Sequence, residues 1–113
     1  MDIHFTARKF KARSNVKEHA IEAVRGLDRY YDGIVRGDII LSYERTTQSV
    51  KIAEIILHVH GTTLTATEYS EEFIKSVDLA IAKLERQLSK YKTKTRMKDK
   101  KKLRRVKEKV TLL

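Results

Sequence analysis

The chain opens on a period of two. From Asp2 to Ala7, Ile3, Phe5 and Ala7 fall on one side of an extended backbone and His4 and Thr6 on the other, which predicts a half-buried strand. A short basic connection follows: Arg8, Lys9, Phe10, Lys11, Ala12, Arg13. Ser14 and Asn15 are favourable N-cap residues, and Glu18, three beyond Asn15, fits a capping box. Apolar residues then recur at Val16, Ala20, Ala23, Val24, Leu27 and Tyr31. That spacing predicts a helix of about four turns, closed by the turn chemistry of Asp32 and Gly33.

Three strand-like segments come next. Asp38 to Glu44 places Ile39, Leu41 and Tyr43 on one face. Val50 to His60 places Ala53, Ile55, Leu57 and Val59 on one face and Ile52, Ile56, His58 and His60 largely on the other. Thr62 to Thr67 turns Leu64 and Ala66 inward. The stretch Thr46 to Ser49 and the pair His60-Gly61 are hairpin-sized, so these strands read as an antiparallel meander. Ser70, Glu71 and Glu72 then open a long helix, with a capping hydroxyl and two acids at its positive end. Its apolar stripe is Phe73, Val77, Ile81, Leu84, Leu88 and Tyr91. The order β-α-β-β-β-α predicts an α/β fold of the α+β kind, a two-layer sandwich with two helices on one face of a four-stranded sheet.

The second helix carries more than a core seam. At roughly 100° per residue with Leu84 at zero, Val77, Ile81, Leu88 and Tyr91 lie within about 60°. Lys83, Arg86, Lys90 and Lys94 occupy an arc from roughly 200° to 280°, while Asp78 and Glu85 fall near 100° to 120°. The four cations thus line up over about 16 Å of helix axis with no acid on their arc. Like charges at this spacing repel, so the stripe costs stability and suggests a use, the neutralisation of phosphates along a nucleic-acid backbone. The alternative is a solvated face tuned for solubility.

Charge arithmetic favours the polyanion. The 113 residues hold 25 Lys/Arg and 15 Asp/Glu, a net charge of +10. Residues 1–82 hold eleven cations and twelve acids, a net of −1, and residues 83–113 hold fourteen and three, a net of +11. Nine of those cations lie within the 14 residues 96–109. We therefore expect an α/β domain over residues 1–95 and a basic C-terminal extension over 96–113, partly disordered or helical.

Other chemistries find little support. No apolar run approaches the roughly 18 to 20 residues of a membrane span. The first residues, Met1-Asp2-Ile3-His4-Phe5, are unlike a signal peptide, and without cysteine a reducing compartment is allowed. A cytoplasmic protein is expected. His58 and His60 share a strand face but lack an evident third ligand, so strand histidines are preferred to a metal site. Tyr30, Tyr31 and Tyr91 suit base stacking, yet Tyr31 and Tyr91 fall on core arcs, so packing is preferred there. Ser42, Thr46 and Thr47 have no attached base, and no glycine-rich phosphate loop occurs. The expectation is no enzyme, no cofactor, no metal and no small-molecule substrate.

At Lys83-Leu84-Glu85-Arg86-Gln87-Leu88-Ser89-Lys90-Tyr91-Lys92-Thr93-Lys94 the chain resembles the bacterial ribosome hibernation-promoting factors and ribosome-associated inhibitors, the protein Y family, in its short form. Ile3-x-Phe5-x-Ala7, Leu27-Asp28-Arg29-Tyr30-Tyr31, Leu57-His58-Val59-x-x-Gly and Tyr69-x-x-x-Phe73 add to the resemblance, which runs over about residues 1–95. It implies a topology similar to a double-stranded RNA-binding domain with an added strand. It also implies binding to the small ribosomal subunit and its rRNA across the mRNA channel and the A and P tRNA sites. Translation would then be inhibited by occupancy, as ribosome hibernation in stress or stationary phase, by a protein that is a monomer off the ribosome. RNA contacts carried over from the family fall on Lys83, Arg86, Lys90 and Lys94, and further on Arg29 and Lys92. Gly26 stands where many members carry lysine.

Two other functions compete. A general structured-RNA-binding module, such as an RNA processing or ribosome assembly factor, would bind free duplex RNA as tightly as ribosomes. A protein-interaction module would dock its basic tail on an acidic partner or an anionic membrane, and its partners would survive nuclease treatment.

Overall fold

A computed structural model of the chain describes residues 1–44 and 50–111, with side chains through Thr93. The elements are β1 (Asp2–Ala7), α1 (Ser14–Arg25), a 3₁₀ turn (Gly26–Arg29), β2 (Ile34–Tyr43), β3 (Lys51–Val59), β4 (Thr62–Ser70) and α2 (Phe73–Thr111). Fold class and element order are those expected.

The strands lie in the order β1-β2-β3-β4, with β1 and β4 as the edges. β1 pairs with β2 in parallel, Phe5 opposite Ile39, because α1 carries the chain back across the sheet between them. β2, β3 and β4 form the expected antiparallel meander, with Leu41 opposite Ala53 and Ile55 opposite Ala66. The β3–β4 turn is His60-Gly61, and Gly61 takes φ +86°, a conformation that a side chain disfavours. β1, β2 and β4 therefore run in one direction, and both helices start at the same end of the sheet. Phe10, from the β1–α1 connection, stacks there on Phe73, with ring centroids 4.9 Å apart, and Tyr43 meets both rings edge-on.

One face of the sheet supplies the core. Ile39, Leu41, Ala53, Ile55 and Leu57 are wholly buried against Val24 and Leu27 of the first helical segment and Val77, Leu84 and Leu88 of α2. The Ile, Leu and Val side chains among them contribute roughly 1.5 to 3 kcal/mol each on full burial. Gly37 sits where α1 crosses β2, and a Cβ there would meet Val24 Cγ1 at 2.8 Å. Ser76 is the buried polar side chain among the described residues, and its hydroxyl donates to the Lys51 carbonyl at 2.8 Å and lies 2.6 Å from Ser70 Oγ. Those bonds tie the first turn of α2 to both of its strands.

Several details differ from the pattern: β2 starts at Ile34, four residues before the expected Asp38, and β4 runs three residues beyond the expected Thr67, to Ser70. α1 begins two residues early, because Val16 and Lys17 donate back to the Arg13 carbonyl, and Arg13 as N-cap provides no side-chain bond. Glu18 then lies too deep in the helix for a capping box. At its other end the helix tightens into the 3₁₀ turn at Gly26, a poor helix former, yet Leu27 still reaches the core. Glu71 and Glu72 precede α2, whose first turn holds no acid, and Ser70 Oγ accepts the Glu72 N–H at 3.2 Å. Tyr43, expected inward with Ile39 and Leu41, is 38% exposed at the sheet end. The expected hairpin loop Thr46–Ser49 lies outside the described residues.

Candidate nucleic-acid interface

α2 is fixed on the sheet by contacts on both sides of its apolar seam. Tyr91 donates its hydroxyl to the His60 carbonyl at 2.6 Å and meets Tyr31 edge-on at 5.4 Å. Burial pushes the Tyr31 hydroxyl above its ordinary pKa, and Tyr91 and Asp32 add to the rise. Both rings thus serve packing, as their arcs predicted. Gln87 donates to the Thr65 carbonyl of edge strand β4 at 3.0 Å, which places this flank of the helix over the β4 edge. On the other flank, Asp78 meets His19 of α1 at 2.6 Å.

This anchoring orients the basic arc. Lys83, Arg86 and Lys90 are exposed along the flank that looks over β4. Arg86 and Lys90 make no ion pair among the described residues. Lys83 does: its Nζ lies 2.6 Å from Glu68 Oε1, with the lysine side chain 54% exposed and the carboxylate 20%. Glu68 was not foreseen, although the alternation Leu64, Ala66 points to it. β4 runs on to Ser70, so the next residue of that face lies under α2. An ion pair this exposed is worth about 0.2 to 1 kcal/mol, so an external anion can compete for the lysine at little cost.

Two of the remaining expected positions, Arg29 and Lys92, lie apart. Arg29 is exposed on the 3₁₀ turn, in a groove it shares with Glu22 of α1 and Glu85 of α2, so it sits on the α1 side among acids. Lys92, near 80° on the helical wheel, is half-buried and also faces away from the stripe. Lys94 lies on the same helix, but its side chain is outside those described. α2 runs unbroken to Thr111, so the backbone of the basic extension continues the helix that bears the stripe.

The expected sheet histidine has a partner instead of a ligand role. His58 Nε2 lies 2.8 Å from Asp38 Oδ2, and Arg36 Nε donates to Asp38 Oδ1 at 2.7 Å. Burial alone would raise the Asp38 pKa, but bonds from Arg36 and His58 and their charges outweigh it and hold the carboxyl below its ordinary value. His60 lies beyond β3 in the turn. No cluster of three or more metal-ligating side chains occurs among the described residues, and none of their helices is long and apolar enough to cross a membrane.

The ribosome hibernation promoting factor of Azotobacter vinelandii is 28% identical over 94 residues, 83% of this chain and 85% of that protein. That of Escherichia coli K12 is 27% identical over 94 residues and 96% of its length. The longer Bacillus subtilis ribosome hibernation promotion factor is 26% identical over 98 residues, so the match spans 52% of that protein. Among solved structures, a ribosomal subunit interface protein from Coxiella burnetii superposes with a TM-score of 0.74 at 29% identity, over 82% of this chain and 99% of that one. The protein Y N-terminal domain of Thermus thermophilus shares the fold, with a TM-score of 0.70 at 23% identity, over 80% of this chain and 99% of that one. The model of the Sigma 54 modulation protein / S30EA ribosomal protein family matches residues 3–96, and the chain belongs to that family.

Proposed function

We propose that this protein is a ribosome hibernation factor. It binds the small ribosomal subunit and its rRNA through the basic flank of α2, lies across the mRNA channel and the A and P sites, and inhibits translation by occupancy. The observation that carries the reading is the alignment of Lys83, Arg86 and Lys90 on the exposed flank of a helix held against the sheet at Gln87 and Tyr91. The names of its relatives support the ribosome as the partner. No turnover is required: a rigid row of cations displaces counterions from the phosphate backbone, and the bound domain excludes tRNA and mRNA. The protein acts in the cytoplasm, as a monomer off the ribosome, and needs no cofactor.

Replacing Lys83, Arg86 and Lys90 together with Glu tests this. Cosedimentation with small subunits should weaken on the order of 100-fold or more. Unfolding free energy should stay within about 1 kcal/mol, because the three positions are exposed. Undiminished cosedimentation would remove the assignment. Equal affinity for free duplex RNA and for subunits, at one salt concentration, would make the protein a general structured-RNA binder instead.

A further inference from the structure

A second basic surface lies at the opposite edge of the molecule. Between β1 and the first turn of α1 runs a groove of about 640 Å³, floored by Phe5, Ala7 and Phe10 and rimmed by Lys11, Arg13 and Lys17, with no acid in its lining. From Arg8 to Lys17 the chain holds five cations and no acid. All five are exposed, and none makes an ion pair among the described residues. Lys17 instead holds its Nζ 5.8 Å from the centre of the Phe5 ring.

The local backbone accentuates this. Lys9 takes φ +62°, a left-handed conformation that costs a residue with a Cβ roughly 1 to 2 kcal/mol. α1 starts with neither a side-chain cap nor an acid in its first turn, so its own residues leave its positive end unanswered. Two carboxylates, Glu71 and Glu72, line a neighbouring groove on the α2 side of Phe10, where they border the same Lys11 and Arg13, and Glu18 follows Lys17 on α1. Glu71 and Glu72 would confine an anion to the β1 side.

We propose that this groove is a second RNA site, which takes a short single-stranded segment with a base over the aromatic floor and its phosphates on Lys11, Arg13 and Lys17. Aromatic surface edged by cations is the composition of single-strand sites, where stacking tolerates any base. The half-buried rings sit below the cations, whereas insertion into a lipid surface needs apolar side chains that protrude. β1 and β4 are separated by three strand spacings, roughly 14 Å, so this groove and the α2 stripe meet different stretches of RNA. The protein would then hold two RNA segments, one at each edge of its sheet. The inference rests on the reading of the chain as an RNA-contacting protein.

The test uses the full chain and decauridylate as the probe. NMR titration should shift the amides of Lys11 to Lys17, and those shifts should persist when Lys83, Arg86 and Lys90 are replaced with Glu. Replacing Lys11, Arg13 and Lys17 together with Ala should lower decauridylate affinity by on the order of tenfold or more, and reduce the log–log salt slope by about 2, some 0.7 per lost phosphate contact. An unchanged slope and affinity in that variant, with its fold confirmed by circular dichroism, would overturn the site even if ribosome binding through α2 stands. Shifts confined to the groove, with ribosome binding indifferent to the α2 variant, would uphold the site and remove the proposed function. Saturation of the groove by anionic phosphatidylglycerol vesicles or by polyglutamate at equal salt, without decauridylate shifts, would also overturn it.

Discussion

Two charged regions of this domain differ in how their charges are answered. On the outer face of the sheet, Asp38 takes bonds from both Arg36 and His58, so the cluster is satisfied within the fold. On the outer flank of α2, Arg86 and Lys90 have no partner among the described residues, and Lys83 has one, Glu68. Both surfaces are polar and both meet solvent. The first spends its charge on holding neighbouring strands in register, and the second leaves it available for a ligand. An unanswered row of like charge, held by a rigid seam, therefore says more about function than charge density alone.

The largest way to break this contrast lies beneath the stripe. Leu84 is wholly buried in the seam that holds the α2 flank in place. Leu84→Ala should cost about 2 to 5 kcal/mol through lost burial and a cavity. Thermal unfolding should fall by on the order of 10 °C, and urea midpoints should drop without a change in m. A loss below about 1 kcal/mol would mean that α2 is not fixed by this seam and that its cations are not held in a rigid row.

Much of this was legible beforehand. Ala53, Ile55, Leu57 and Val59, and Val77, Ile81, Leu84 and Leu88, are buried as their periods predict, because burial of one face repeats along a strand or helix. The alignment of Lys83, Arg86 and Lys90 follows from the same geometry. What the periods lacked was tertiary. Only the fold brings Glu68 under Lys83, or sets Arg29 among Glu22 and Glu85, since those partners belong to other elements. The helix start at Ser14, with Arg13 as N-cap, departs from the pattern because the backbone bonds of Val16 and Lys17 decide it, and these leave no mark in side-chain type. The groove beside β1 had one visible sign, the basic connection from Arg8 to Arg13, but its aromatic floor needed Phe5 and Phe10 to be brought together.

The satisfied cluster can be tested by pH. Asp38 has a folded pKa below its ordinary 3.8, so the folded state favours the ionised form. That contribution is fully present above the unfolded value and is lost as pH falls through the folded one. Asp38→Asn should therefore lower unfolding free energy by on the order of 1 kcal/mol near neutral pH, and the gap from the parent should close as pH drops below about 4. Urea titrations across that range measure it. A gap that stays constant with pH would assign the effect to packing and would remove the cluster as an example of internally answered charge.

The smallest change separates the two classes at a single residue. Lys83 belongs to the proposed binding flank by position and to the satisfied class by its bond to Glu68. Glu68→Gln removes the acid and keeps the shape. Because the lysine is more than half exposed, stability should change by less than about 1 kcal/mol. The freed ammonium should then meet RNA without first leaving a partner. Affinity for the small subunit should rise a few-fold, and the salt slope should steepen by up to about 0.9, the share of one phosphate contact. Weaker binding would mean that Glu68 holds Lys83 in its productive orientation, so that the pair belongs to the interface. No change in affinity or slope would mean that Lys83 meets no phosphate, leaving Arg86 and Lys90 to carry this part of the surface.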